Sequence, residues 1–165
     1  MLAEYIDNIN RKHIILNDPI KNSVLQHSNF YKLSYSNEII SFNGIYIIIN
    51  LKNINYNEKQ FRLEFNSENN NEIINKIKIL EQDILNLLDI PNKEKQYKMS
   101  EIFRTNNLKY TLNELNNELI NNHNFRYENL KNSLIIKISG IWETKEKFGI
   151  TFKIISINKA INKLI

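Results

Sequence analysis

The chain has 165 residues, no cysteine, and 22 Lys and Arg against 18 Asp and Glu, giving a formal charge of +4. That length fits one domain whose core needs no covalent or metal staple. The missing cysteine excludes disulfides, a thiol nucleophile and a thiolate zinc site, while the mild positive charge admits a phosphate partner without requiring one.

Asn and Ile are abundant and Ala and Gly scarce, the pattern of AT-rich codons. The Asn runs at 69–71 and 121–122 therefore read as loop filler. The opening MLAEYIDNIN has no basic segment followed by an apolar run, and Ile45–Ile49 is too short to span a bilayer. The expectation is a soluble intracellular protein with no membrane partner.

In chain order, Asp18-Pro19 suggests a turn, and Asn29–Tyr35 (NFYKLSY) an aromatic strand. Asn43-Gly44 reads as a turn or bulge before the β-branched run Tyr46–Leu51. Gln60–Phe65 predicts a second strand, paired with that run as a hairpin. Phe61, Leu63 and Phe65 would face one side, Arg62 and Glu64 the other. Asn69–Leu88 is the clearest helix, with Ile73, Ile77, Leu80, Ile84 and Leu87 forming one apolar stripe. Glu72 and Lys76 support it at i, i+4, and Pro91 ends it.

Residues 92–110 are basic and aromatic and predict a loop, a strand and a turn. Thr111-Leu112-Asn113-Glu114 has the form of a capping box opening a second, short helix. Phe125–Tyr127 suggests another strand. Ser133–Ile157 then reads as a long strand, a charged turn and a second long strand. Leu134, Ile136 and Ile138 share one face, as do Phe148, Ile150, Phe152 and Ile154. Trp142 has the parity of Leu134, which sends it into the core unless Gly140 shifts the register. Glycines of this kind bend the strands of small barrels. The expected fold is β-rich α+β: an OB-like, partly open barrel with one long and one short helix. It forms a single domain with a helical insertion around residues 91–124.

Catalytic chemistry is sparse. No Gly-rich loop precedes a helix. His13, His27 and His123 are scattered without metal-ligand spacing. Glu143 and Glu146 read as solvation of the hairpin turn. Ser139 and Thr151 have no base at a recognisable spacing. No enzyme activity, cofactor or metal is expected.

Binding a single strand needs cations to follow the phosphates and flat side chains to stack the bases. In the terminal hairpin, Lys137 and Lys153 point away from the Ile/Phe face, Lys145 and Lys147 project from the turn, and Trp142 offers a stacking surface. Arg62 faces away from its apolar neighbours. Phe30, Tyr31, Lys32 and Tyr35 form one cationic-aromatic group. Lys95, Tyr97, Lys98, Phe103, Arg104, Lys109 and Tyr110 form another, on a connection that would grip a strand in an OB-like barrel. The candidate interface is Lys32, Tyr35, Arg62, Lys95, Tyr97, Lys98, Arg104, Lys109, Tyr110, Lys137, Trp142, Lys145, Lys147 and Lys153.

Lys137-Ile138, Gly140-Ile141-Trp142-Glu143 and Phe148-Gly149-Ile150-Thr151-Phe152-Lys153 together resemble the C-terminal signature of single-stranded-DNA-binding proteins of large eukaryotic DNA viruses. In those proteins a KI.GIWE strand precedes a YGLTYK-like strand, and Phe148 and Phe152 stand here where Tyr is frequent. The resemblance implies an OB-like core and sequence-tolerant binding of single-stranded DNA in viral replication, recombination or repair. The setting it implies is the host nucleus or a cytoplasmic viral replication site. RNA competes as a ligand because stacking does not distinguish the sugars. The second reading is a viral structural or assembly protein acting through protein contacts. Ile161, Leu164 and Ile165 in the tail would then cap the core or join a second copy.

Overall fold

The computed structural model describes residues 3–24, 26–37, 39–57, 59–110 and 133–158. The capping box at Thr111, the predicted strand at Phe125 and the tail from residue 159 onward lie outside the described residues. So does much of the predicted insertion.

The larger sheet is built on two long strands, β10 (Ser133–Glu143) and β11 (Lys147–Asn158). They pair antiparallel, with register shifts after Ile135 and Ile138. The other edge of β10 has two partners. Residues 133–138 pair with β5 (Ile45–Asn50), and residues 140–143 with β3 (Asn29–Ser36). Outward from these lie β1 (Glu4–Tyr5) on β5, β2 (Ile14–Lys21) and β4 (Ser41–Asn43) on β3, and β8 (Glu94–Gln96), parallel to β11. Among the described residues, no pairing joins β1 or β2 to β8, so the sheet does not close into a true barrel.

Gly44 separates β4 from β5 with φ +91°, a conformation that suits glycine. There the chain leaves β3 and swings onto β10. Asp18-Pro19 makes no turn. Pro19 sits inside β2, just past an irregularity in its ladder with β3, where a missing amide costs least.

A small second sheet contains β6 (Asn55–Asn57), β7 (Arg62–Glu64) and β9 (Leu108–Lys109). This corrects the predicted hairpin. The strand at Gln60–Phe65 pairs not with Tyr46–Leu51 but with Asn55–Asn57 and residues 108–109. β5 is drawn to β10 because the paired stretches are dominated by Ile and Leu side chains that are buried in both strands.

The longer helix, α1, spans Asn71–Leu85, shorter than predicted at both ends. Ile74, Ile77, Leu80, Ile84 and Leu85 are buried, Ile73 is partly buried, and Leu87 is exposed. The helix ends before Leu87, so the i, i+3, i+4 pattern no longer controls that residue's direction. Lys76 pairs with Glu72 at 2.6 Å and Asp7 at 2.9 Å, and Arg11 pairs with Asp83 at 2.9 Å. The amino-terminal segment is thereby tied to the helix.

The short helix, α2, spans Lys98–Arg104, where the sequence pattern suggested a strand and turn. Its amphipathic signal is weak because it is only seven residues long. A tertiary contact opens it instead. The carboxylate of Glu81, fully buried on α1, accepts the Met99 amide at 2.9 Å and the Ser100 amide at 2.8 Å. Burial pushes the Glu81 carboxyl up, against the pull of those hydrogen bonds. The core fills the space between the inner sheet face and the two helices, joining Leu33, Ile47, Ile49, Ile136, Ile138 and Phe148 to Ile77, Ile84, Met99 and Phe103.

Glu81→Ala orphans two buried amides, each worth about 1–3 kcal/mol. A loss of about 2–4 kcal/mol is therefore expected in denaturant unfolding. A loss below about 0.5 kcal/mol would show that α2 does not depend on this carboxylate.

Candidate nucleic-acid interface

Strand alternation decides what faces outward. Along β10, Leu134, Ile136 and Ile138 point into the core and Lys137 points out. The register shift between Ile138 and Gly140 inserts one residue, Ser139, into the ladder. Parity changes there, so Ile141 is fully buried and Trp142 lies on the outer side, partly exposed. Trp142 stands opposite Phe30 on β3 and Gly149 on β11.

The three glycines make room for this face. A Cβ on Gly149 would stand 2.9 Å from Trp142 Cζ2 and 3.0 Å from the Gln96 carbonyl oxygen. One on Gly140 would stand 2.6 Å from Phe30 Cζ. One on Gly44 would meet Lys137 Cε at 2.7 Å. The indole, the phenyl ring and the Lys137 stem therefore each lie close over a bare backbone.

Trp142 and Phe30, with Ile20 and Val24, line a groove of about 610 Å³. Lys21, Lys98 and Lys147 border it. The Lys98 ammonium lies 5.7 Å from the indole centroid, within cation–π range. Farther along the outer face, β11 presents Thr151 and Lys153 at alternate positions, both exposed. Lys153 pairs in register with Lys137, whose ammonium lies 5.2 Å from the Tyr46 ring centroid. Lys32 opposes Gly140, on the same side of β3 as Phe30.

Beneath the groove, Glu143 holds three segments together. Its buried carboxylate accepts hydrogen bonds from the Asn29 side-chain amide and the Tyr31 hydroxyl, each at 2.9 Å, and is paired with Lys93. Lys93 also donates to the Thr144 carbonyl at 2.8 Å. Burial alone would push the Glu143 carboxyl up, but its three donors outweigh that and hold it below the usual carboxylate range. Its neighbour Glu146 does project from the turn, but Glu143 is a structural tie rather than a solvated turn residue. Its signal in the sequence was only its place next to Trp142.

The remaining predicted residues separate. Lys95, Tyr97 and Arg104 line a different groove, between α1 and α2. Lys145 is exposed at the hairpin turn. Arg62 and Lys109 are register partners in the small sheet, and neither lines either groove. Tyr35 and Tyr110, at 8% and 3% exposure, are core residues that present no ring to a ligand. The Tyr35 hydroxyl is held between the Asn10 amide and Glu4, and Tyr110 packs edge-on against Phe61. Sequence reasoning left out Lys21 and passed over Phe30 as a site residue. The parity of Phe30 with Lys32 was the available clue.

The assembled groups can stack flat ligands and neutralise anions. Among the described residues, no group of three or more His, Asp or Glu is placed to hold a metal ion. No helix among them is long and apolar enough to cross a membrane.

Two substitutions test this frame. Glu143→Gln weakens a buried charged network and is expected to cost about 2–3 kcal/mol at pH 7. The depressed carboxyl stabilises the fold above the ordinary Glu range, near 4.5, and that contribution is lost as pH falls through its folded value. The stability gap between wild type and variant should therefore close on acidification below that range; a gap constant with pH would show that the Glu143 charge does not contribute to stability. Gly149→Ala is expected to cost about 1–3 kcal/mol by overpacking and to shift the emission of the sole tryptophan. An unchanged emission maximum would mean that the indole does not rest on Gly149.

Comparison of the chain with protein-family models, with curated proteins and with solved structures returns no match.

Proposed function

We propose that the protein binds single-stranded DNA with little sequence preference through the outer face of β3, β10 and β11. The observation that carries this reading is the pairing of Trp142 with Phe30 in one groove bordered by Lys21, Lys98 and Lys147. Both elements of single-strand recognition, stacking surface and phosphate-neutralising cations, stand within one compartment. Lys32, Lys137 and Lys153 extend the cations along the same face. The groove walls are mostly apolar, which suits bases taken by their flat faces rather than read by their edges.

An OB-like reading of the sheet belongs to the same proposal. One strand bends at a bulge and changes partners there, as strands do at the corners of small barrels. The likeness of residues 137–153 to viral single-strand binders supports a role in viral DNA replication, recombination or repair, at a nuclear or cytoplasmic replication site.

Because Trp142 is the only tryptophan, its fluorescence reports stacking at this position. Titration with a dT 30-mer should quench it, and affinity should fall with salt at a log–log slope of about −0.7 per phosphate contacted. Trp142→Ala should weaken binding by about 1–3 kcal/mol, and Lys147→Gln should make the salt slope shallower by about 0.7. Duplex DNA should bind less well, and a matched RNA settles the sugar preference. No binding by folded protein at low salt would overturn this reading and favour a protein-docking role.

A further inference from the structure

We propose that the groove between α1 and α2 is a second compartment of the same binding track, entered over the ridge formed by Tyr97 and Lys98. This deepens the single-strand reading above and rests on it.

The groove measures about 660 Å³, as large as the first. Helix α2 stands between the two. Its start sends Lys98 toward Trp142, while Tyr97, Glu101 and Arg104, spaced i, i+4 and i+7, turn to the α1 side. The compartments are close. Gly149 on β11 is the register partner of Trp142 on one edge and of Gln96 on the other, and Gln96 directly precedes Tyr97.

The second groove also sets an aromatic ring beside cations, in a more polar lining than the first. Tyr97 is 37% exposed and makes no ring contact among the described residues. Arg104 and Lys78 are exposed cations with no ion pair among those residues. One free aromatic beside two free cations is a unit of single-strand recognition. Asn71 and Asn75 on α1 add amides that suit base edges. Glu68, Glu94 and Glu101 also line the groove, so it does not attract phosphate by net charge. A strand would be held by stacking on Tyr97, with its phosphates directed to Arg104 and Lys78. The Met99 and Ser100 amides at the start of α2 are already taken by Glu81 and do not hold phosphate. Lys95 is bound to Asn86 at 2.6 Å and serves as a support.

A short strand should therefore occupy the Trp142 groove alone, and a longer one both compartments. The test uses the whole chain with dT oligomers of about 4 and about 12 nucleotides, within the span of site sizes for such folds. Binding of the short oligomer is followed by the Trp142 indole NMR signal, which reads millimolar affinity, and binding of the long one by anisotropy. The double variant Tyr97→Ala/Arg104→Ala should lose at least about tenfold on the long oligomer and less than about twofold on the short one. Both residues are exposed, so its melting temperature should match wild type. Equal losses on both lengths, or no loss on either, would overturn the second compartment alone. Failure of wild type to bind either oligomer would overturn it together with the reading on which it rests.

Discussion

Strand β10 changes partners at Ser139, and most of the molecule is organised around that point. Before it, β10 pairs with β5; after it, with β3. One inserted residue lets a single strand join two parts of the sheet that would otherwise diverge. The same residue reverses the side-chain parity. Ile141 goes to the core, and the one tryptophan goes to the surface. Had the ladder been regular, Trp142 would have been a core residue like Leu134, and the outer groove would have lost its largest wall.

Two buried carboxylates hold the pieces around this junction, in opposite electrostatic situations. Glu143 has a cation and two neutral donors, so its charged form is favoured despite burial. Glu81 has backbone amides but no cation, and burial prevails. Acidification works against the first tie and in favour of the second. Glu143 fixes β3, β10 and the segment before β8 to one another. Glu81 fixes the start of α2, and with it the position of Lys98 over the indole. Each is thus structural, yet each places side chains that face solvent.

The outer face is economical in its use of glycine. All three glycines lie beneath outer-face side chains, and two lie beneath the aromatic pair. Both rings of that pair lie close over bare backbone and line the same groove. This accounts for Gly140 and Gly149 by contact, and of the two only Gly140 also adjoins a register shift. It also links the glycines of the hairpin to the aromatic wall of the outer groove.

By itself, the amino-acid sequence determined the elements whose signals are local. Alternation over Ser133–Ile157 was strong enough to show the terminal hairpin and its buried face. The Ile and Leu spacing marked α1, and the aromatic run marked β3. Which strands pair was decided only in three dimensions, because β5 could satisfy its apolar faces against either the nearby Gln60–Phe65 strand or the distant β10. The fate of each aromatic was decided there too. Tyr35, Tyr97, Tyr110 and Trp142 look alike beside their lysines in sequence, yet two are core and two reach the surface. Burial depends on the bulge at Ser139 and on where the small sheet docks, and neither leaves a periodic trace. α2 was hidden for the same reason, since a buried carboxylate from α1 opens it rather than a cap of its own.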